Sequence, residues 1–282
     1  MKIFISADME GISGVATNMQ LKKDSEYNRF RSLMTADVNA AIAGAFDGGA
    51  TEVVVADGHG NMSNILIEEL DERARLISGN NRVMCQLEGL DDSYDGIFFV
   101  GHHGREGGST KTVINHSLAG IAVNEVKVND VVVGETELNT RVAGYYDVPA
   151  LLATGDEAYT QEVEASLPGI FTAAVKKGLD RFAAELIAPV KAQKLIRQRA
   201  AEATRERGRM KPLKLTGPVT FEVEFKGTNQ ALMTTTIPDV ELIDAKRIRF
   251  TSVDIVTAYK LFWACVIIGM TATNGVLGSA NA

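Results

Sequence analysis

The chain has 282 residues, 45% of them hydrophobic and 23% charged, with a formal net charge of -7 at pH 7. That is an ordinary composition for a soluble globular protein, long enough for one large domain or two of common size. The acidic balance, without any long run of Lys or Arg, argues against nucleic acid or an anionic membrane surface as the partner.

The start, "MKIFISAD", reads as a strand and not as a secretory signal, because one Lys is followed by five uncharged residues and then Asp8. Asp8 and Glu10 stand two apart in "FISADMEGISG", so strand alternation turns them to one face, with Met9 on the other. Two acids so placed repel each other unless positive charge lies between them. In "EYNRFRSLMTADVNAAIAGAFDGG", Phe30, Leu33, Met34, Val38, Ala41, Ile42 and Ala45 recur at helical spacing, up to a C-cap at Gly48-Gly49. "TEVVVAD" is a strand for burial on both faces, "NILIEEL" starts a short helix, and "YDGIFFVGHHG" holds a third buried strand. This rhythm predicts an α/β fold, a parallel sheet with helices on both faces.

"GIAVNEVKVNDVVVGE" predicts a hairpin around Asn129-Asp130. A helix, the short strand "PALLATG" and the helix "GDEAYTQEVEAS" follow. "RFAAELIAPVKAQKLIRQRAAEATRERGRMKP" reads as a long charged helical region interrupted at Pro189, and "VTFEVEF" and "KRIRFTSVD" as alternating strands flanking "TNQALMTTTIPDV". The change of texture divides the chain into an α/β domain, residues 1–188, and a smaller α+β C-terminal domain, residues 189–282. "AYKLFWACVIIGM" is interrupted by Lys260 and shorter than a membrane span, so it reads as a buried helix, and the final "NGVLGSANA" is expected to be loose. Cys85 and Cys265 are far apart and lack metal-ligand spacing; they read as buried reduced thiols, which suits a cytoplasmic location.

The polar residues at the strand ends carry the chemistry. His59 follows the second strand, His102 and His103 follow the third, Glu135 ends an apolar run, and Asp8 and Glu10 end the first strand. In parallel sheets the loops after the strand C-termini share one edge, where such folds bind ligands. Singly, each residue has a plain reading: a loop acid or N-cap for Asp8, a turn residue for His59, a cap for Glu135. Together they point to one metal ion or a pair of ions. Mixed carboxylate and imidazole donors suit zinc first, then manganese, iron or cobalt. His102 and His103 face opposite ways, and His103, nearer the loop, is the expected ligand, with His102 packing behind it. His116, in "TVINHS", reads either as a histidine hydrogen-bonded beside Asn115 and Ser117 or as a general acid or base. There is no GxSxG elbow, no phosphate-binding P-loop and no HExxH helix.

"SADMEGISG", "TEVVVADGHGNMSN", "LISGN", "EGLDD", "GHHG", "NHS", "VGE", "VAGYYDVPALLATGD" and "TAAVKKG" together, in order over residues 1 to about 180, resemble the DppA-type zinc-dependent D-aminopeptidases, whose chains open on S-x-D-x-E-G. The resemblance implies a two-zinc (Zn2+) centre on Asp8, Glu10, His59, His103 and Glu135, with His116 as the catalytic residue. It implies an enzyme that removes N-terminal D-amino acids, typically D-Ala, from short peptides, with its catalytic centre in the α/β domain. It also implies a ring-shaped homodecamer with active sites facing an enclosed cavity. The loop "GREGGSTKT" between His103 and His116 departs from that pattern, which leaves side-chain preference open. Two other functions fit the same residues: a metallohydrolase of L-peptides or another amide, and a peptide-binding protein with a purely structural metal.

Overall fold

A computed structural model describes residues 1–22 and 26–273, so the C-terminal "NGVLGSANA" lies outside the described residues. The elements in chain order are β1 (Lys2–Ala7), α1 (Tyr27–Asp47), β2 (Glu52–Asp57), β3 (Ala74–Ile77), β4 (Gly96–Val100), β5 (Val123–Val128) and β6 (Val131–Val132). Then come α2 (Glu135–Tyr145), β7 (Ala150–Asp156), α3 (Glu157–Ser166), β8 (Phe171–Asp180), β9 (Ala183–Leu186) and α4 (Pro189–Arg205). The chain continues with β10 (Val219–Phe225), α5 (Thr228–Thr234), β11 (Glu241–Leu242), β12 (Arg247–Ser252) and α6 (Ile255–Thr271).

Seven strands form one sheet in the order β3-β2-β1-β4-β7-β8-β9, parallel except for β9. Its inner strands β1, β2, β4 and β7 are buried on both faces, as strands covered on both sides must be. Ile3, Ile5, Val53, Val55, Phe98 and Val100 pack with Met34, Val38 and Ile42 of α1 and Ile196 of α4. Their alternating neighbours Phe4, Val54, Ile97 and Phe99 pack into a second core with Leu138 of α2, Tyr159 of α3 and Phe262 of α6. The α/β expectation holds in this form, and the apolar C-terminal stretch is the helix α6, with Tyr259, Phe262 and Cys265 buried. No helix among the described residues is long and apolar enough to cross a membrane.

The second sheet is antiparallel, in the order β11-β12-β10-β5-β6. Asn129 and Asp130 both take positive φ, 48° and 65°, the geometry a two-residue hairpin needs. The sheets do not divide at residues 188 and 189. β10 alternates buried and half-buried residues and needs a partner on each edge; β12 covers one and β5, from far earlier in the chain, covers the other. Conversely, α4 lies beyond residue 188 and packs on α1 beside the first sheet. Pro189 does not interrupt a helix; it begins α4, where its missing N–H costs nothing, and residues 183–186 before it are the edge strand β9. The "NILIEEL" helix is a single 3-10 turn, Ile67–Glu69.

Asp37, buried on α1, ties that helix to the loop after β1 by accepting from the Ser13 N–H at 2.7 Å and the Ser13 hydroxyl at 2.8 Å. Burial pushes its carboxyl up to about 6. The folded chain therefore holds a proton that the unfolded chain has released, and stability falls as pH rises from the ordinary carboxylate value towards 6. Asp37→Asn lacks this dependence. Its stability relative to the wild type should rise by up to about 3 kcal/mol between roughly pH 4 and pH 7. Urea titrations across that range check this; a constant difference between the two proteins contradicts it.

Candidate metal centre

Strand order fixes where the site lies. The chain runs from β1 outward through β2 and β3, then returns to place β4 on the other side of β1. Loops leaving β1 and β4 diverge from such a switch point, and the crevice between them receives ligands. β1 ends at Ala7, so Asp8 and Glu10 lie just past the strand, although the Asp8 N–H still bonds the Val100 carbonyl at 2.8 Å. The Gly11 N–H bonds the Gly101 carbonyl at 2.7 Å, and a Cβ on Gly11 would fall 1.8 Å from the His102 carbonyl oxygen. Contact this close between the two loops accounts for a glycine directly after Glu10.

All five expected ligands converge. His59 Nδ1 lies 2.9 Å from Glu10 Oε2 and 3.3 Å from Asp8 Oδ1. His103 Nε2 lies 3.5 Å from Asp8 Oδ2 and 3.3 Å from Glu135 Oε1. Asp8 thus turns one oxygen to each histidine. Glu135 reaches the site from the first turn of α2; the strand before it, β6, belongs to the other sheet. His116 folds back over the cluster, its ring stacked on His103 at 4.0 Å and its Nε2 3.9 Å from Glu135 Oε1. His102 is buried edge-on against Phe99, its Nε2 3.2 Å from the Ser6 hydroxyl.

Three groups bring their ligand atoms within 4.8 Å of one another: Asp8, Glu10 and His59; His103, His116 and Glu135; and Asp8, His102 and Glu135. The donor set fits a metal on two observations. Buried His103 Nε2 has no hydrogen-bond partner, although two carboxylates face it. The Nδ1 atoms of His103 and His116 sit 2.9 Å from the Gly104 and Ile114 carbonyls, which can only accept, so Nε2 of each points into the cluster.

The charges tell the same story. Burial alone would lower both histidines, yet Glu10 and Asp8 hold His59 well above its ordinary range, and Glu135 and Asp8 push His103 up to about 10. Burial would raise Glu10 and Glu135, yet His59 and His103 respectively hold them well below the carboxylate range. Asp8 is raised by burial and by Glu10 beside it, and His102 is lowered by burial. Three buried acids demand positive charge, which divalent cations supply more fully than two ring protons.

Sequence reasoning did not find the residues behind the ligands. The Gln86 amide donates to Glu135 Oε2 at 2.7 Å and accepts from Asn139 Nδ2 at 2.6 Å, while the Leu118 N–H donates to Glu135 Oε1 at 2.7 Å. Gln86→Leu should weaken zinc binding about 10- to 100-fold, the usual cost of losing a partner that orients a ligand. Competition with a chromophoric chelator measures this, and unaltered affinity retires the role. Lys176 is buried on β8 and donates to the carbonyls of Glu10, Ile12 and Val15 at 2.5, 3.0 and 2.7 Å, clamping the loop that carries both acids. Its only signal in the sequence is a lysine within the apolar "FTAAVKK".

A cavity of about 390 Å³ opens beside the cluster, lined in part by Glu10, Gln86 and His116. Of nine non-glycine residues with positive φ among the described residues, four line it: Met62, Cys85, Ile114 and Leu118. Ile114, β-branched at φ 51°, is the most costly of these. Such strain concentrates where the surrounding structure fixes a site's shape.

Comparison with known proteins agrees with this arrangement. The Peptidase M55 family model, D-aminopeptidase, matches residues 1–264. A D-aminopeptidase of Bacillus subtilis (strain 168) is 38% identical over 262 residues, covering 92% of this chain and 94% of the relative. A solved structure of the Zn-dependent D-aminopeptidase DppA from Bacillus subtilis, described as a self-compartmentalizing protease, superposes with a TM-score of 0.92 at 36% identity, covering 96% of this chain and 98% of that one. With the match running through every strand that positions the cluster, the chain belongs to the D-aminopeptidase family, Peptidase M55.

Proposed function

We propose that the protein is a zinc-dependent aminopeptidase that removes N-terminal D-amino acids, of the D-Ala type, from short peptides. The observation that carries this reading is the convergence of Asp8, Glu10, His59, His103 and Glu135 beneath His116, beside a cavity, in a chain of this family. Glu10 and His59 would hold one zinc and His103 and Glu135 a second, and Asp8, which turns one oxygen to His59 and the other to His103, would serve both. When bound, zinc supplies Lewis acidity, polarising a carbonyl and lowering the pKa of water.

The chain supplies the rest. His116 Nδ1 donates to the Ile114 carbonyl, which leaves the Nε2 lone pair free on the cavity side. That atom takes a proton from the attacking water and returns it to the leaving amine, and stacking on His103 keeps the ring in place. Gln86 and the Leu118 N–H hold Glu135, and Lys176 holds the loop of Asp8 and Glu10. The cavity walls select the hand of the N-terminal residue.

Assembly into a ring-shaped homodecamer enclosing its active sites is part of the proposal, supported by the self-compartmentalizing relative. A cytoplasmic location is supported by two buried, unpaired cysteines.

The test is release of alanine from D-Ala-D-Ala, with L-Ala-L-Ala alongside and with chelation and zinc re-addition. Chelator-sensitive cleavage of the D-peptide alone is expected. Cleavage of the L-peptide alone would keep the metallopeptidase and remove its chirality. Cleavage of neither by zinc-loaded protein would leave a different amide as substrate.

A further inference from the structure

Arg181 lines the same cavity as Glu10 and His116, and it is the one Lys or Arg among the described residues that do so. It sits in the turn between β8 and β9, and its carbonyl accepts the Ile114 N–H at 2.8 Å. One guanidinium nitrogen, Nη2, donates to the Asn115 carbonyl at 2.7 Å. The same atom stands 3.4 Å from Glu106 Oε2, and Lys226 Nζ stands 3.5 Å from that very oxygen. Two cations thus share one carboxylate at long range, and one positive charge is left over. Arg181 Nε is buried without a hydrogen-bond partner.

The cavity wall therefore carries two unlike sets of groups: Glu10 and His116, which belong to the candidate metal centre, and Arg181, which also lines a neighbouring cavity with Glu106 and Asn115 and whose planar guanidinium is the group best shaped to grip a carboxylate. Asn115, whose carbonyl holds Arg181, directly precedes His116 in the chain. A cavity of about 390 Å³ leaves room for a short peptide, and an extended one of two or three residues is about 7–11 Å long.

We propose that Arg181 anchors the free C-terminal carboxylate of a short peptide whose N-terminal residue lies at the metal centre, which makes di- and tripeptides with a free carboxylate the preferred substrates. This rests on the aminopeptidase reading above. It predicts that blocking the carboxylate harms binding more than it harms chemistry. It also gives Arg181 a role separable from bracing the His116 segment through Asn115.

The experiment compares D-Ala-D-Ala with D-Ala-D-Ala amide on zinc-loaded wild type, Arg181→Met and Arg181→Lys, in two readouts. In kinetics, the wild type should favour the free acid at least about tenfold in kcat/KM, through KM. Arg181→Met should erase that preference by losing the free acid alone, and Arg181→Lys should keep part of it. In calorimetry, with turnover removed by His116→Gln, the free acid should bind more tightly than the amide only when Arg181 is present. A wild type indifferent to amidation overturns the proposal, as does an Arg181→Met variant equally damaged on both peptides, which would show bracing alone. If the wild type cleaves neither peptide, the D-aminopeptidase reading fails, and the calorimetric difference still decides the anchor: present, it stands; absent, it falls.

Discussion

Asp8→Asn should abolish zinc retention and lower turnover by at least about a thousandfold, a larger loss than the 10- to 100-fold expected for an orienting partner such as Gln86. Asp8 turns one oxygen to His59 and the other to His103, so under the proposed two-zinc reading its loss would open both metal positions at once. The asparagine keeps an acceptor for the Met9 N–H, which Asp8 Oδ1 accepts at 2.8 Å, so the loop keeps its local support. Metal-free Asp8→Asn should be no less stable than the metal-free wild type, because burial and Glu10 already disfavour the charge on Asp8. Metal analysis of the purified variant, with thermal unfolding of both metal-free proteins, checks both statements. Stoichiometric zinc in Asp8→Asn would refute the bridging role.

His116→Ala should lower kcat by about 10²- to 10⁴-fold, the usual worth of a positioned acid–base group, while zinc content stays at the wild-type level. The prediction has a clear rival, because His116 Nε2 falls within reach of His103 and Glu135 as a third ligand atom. Two details favour proton transfer. The ring lies stacked over His103, and its Nε2 is farther from Glu135 than His103 Nε2 is, 3.9 Å against 3.3 Å. Metal analysis beside kinetics separates the two. Zinc lost along with activity would make His116 a ligand; zinc retained with activity lost assigns it to the proton.

How much of this was legible beforehand depends on which force placed each residue. β1, β2 and β4 were readable because strands covered on both faces must be apolar at every position, and few other segments satisfy that. α1 and its end were readable because Gly49 takes φ 104° there, a conformation that glycine adopts without strain. The candidate ligands at the ends of β1, β2 and β4 followed, since parallel topology alone brings those ends together. β8 and β9 were not readable, because an edge pair that is half exposed carries neither a continuous apolar run nor a clean alternation. Nor was the path of β5 and β6 into the second sheet, since pairing with β10 joins residues about a hundred positions apart.

By itself, then, the sequence determined the α/β class, the strand ends that hold Asp8, Glu10, His59 and His103, and the acidic and imidazole character of the site, all of which rest on local pattern and one topological rule. Only the tertiary structure decided that Glu135 arrives from the start of α2, that His116 stacks on His103, and that Gln86, Lys176 and Arg181 surround the ligands. The physical reason is that these groups act through single contacts between distant segments. A glutamine, a lysine or an arginine has no periodicity that marks it for such a contact until the backbone has brought its partner within hydrogen-bond distance.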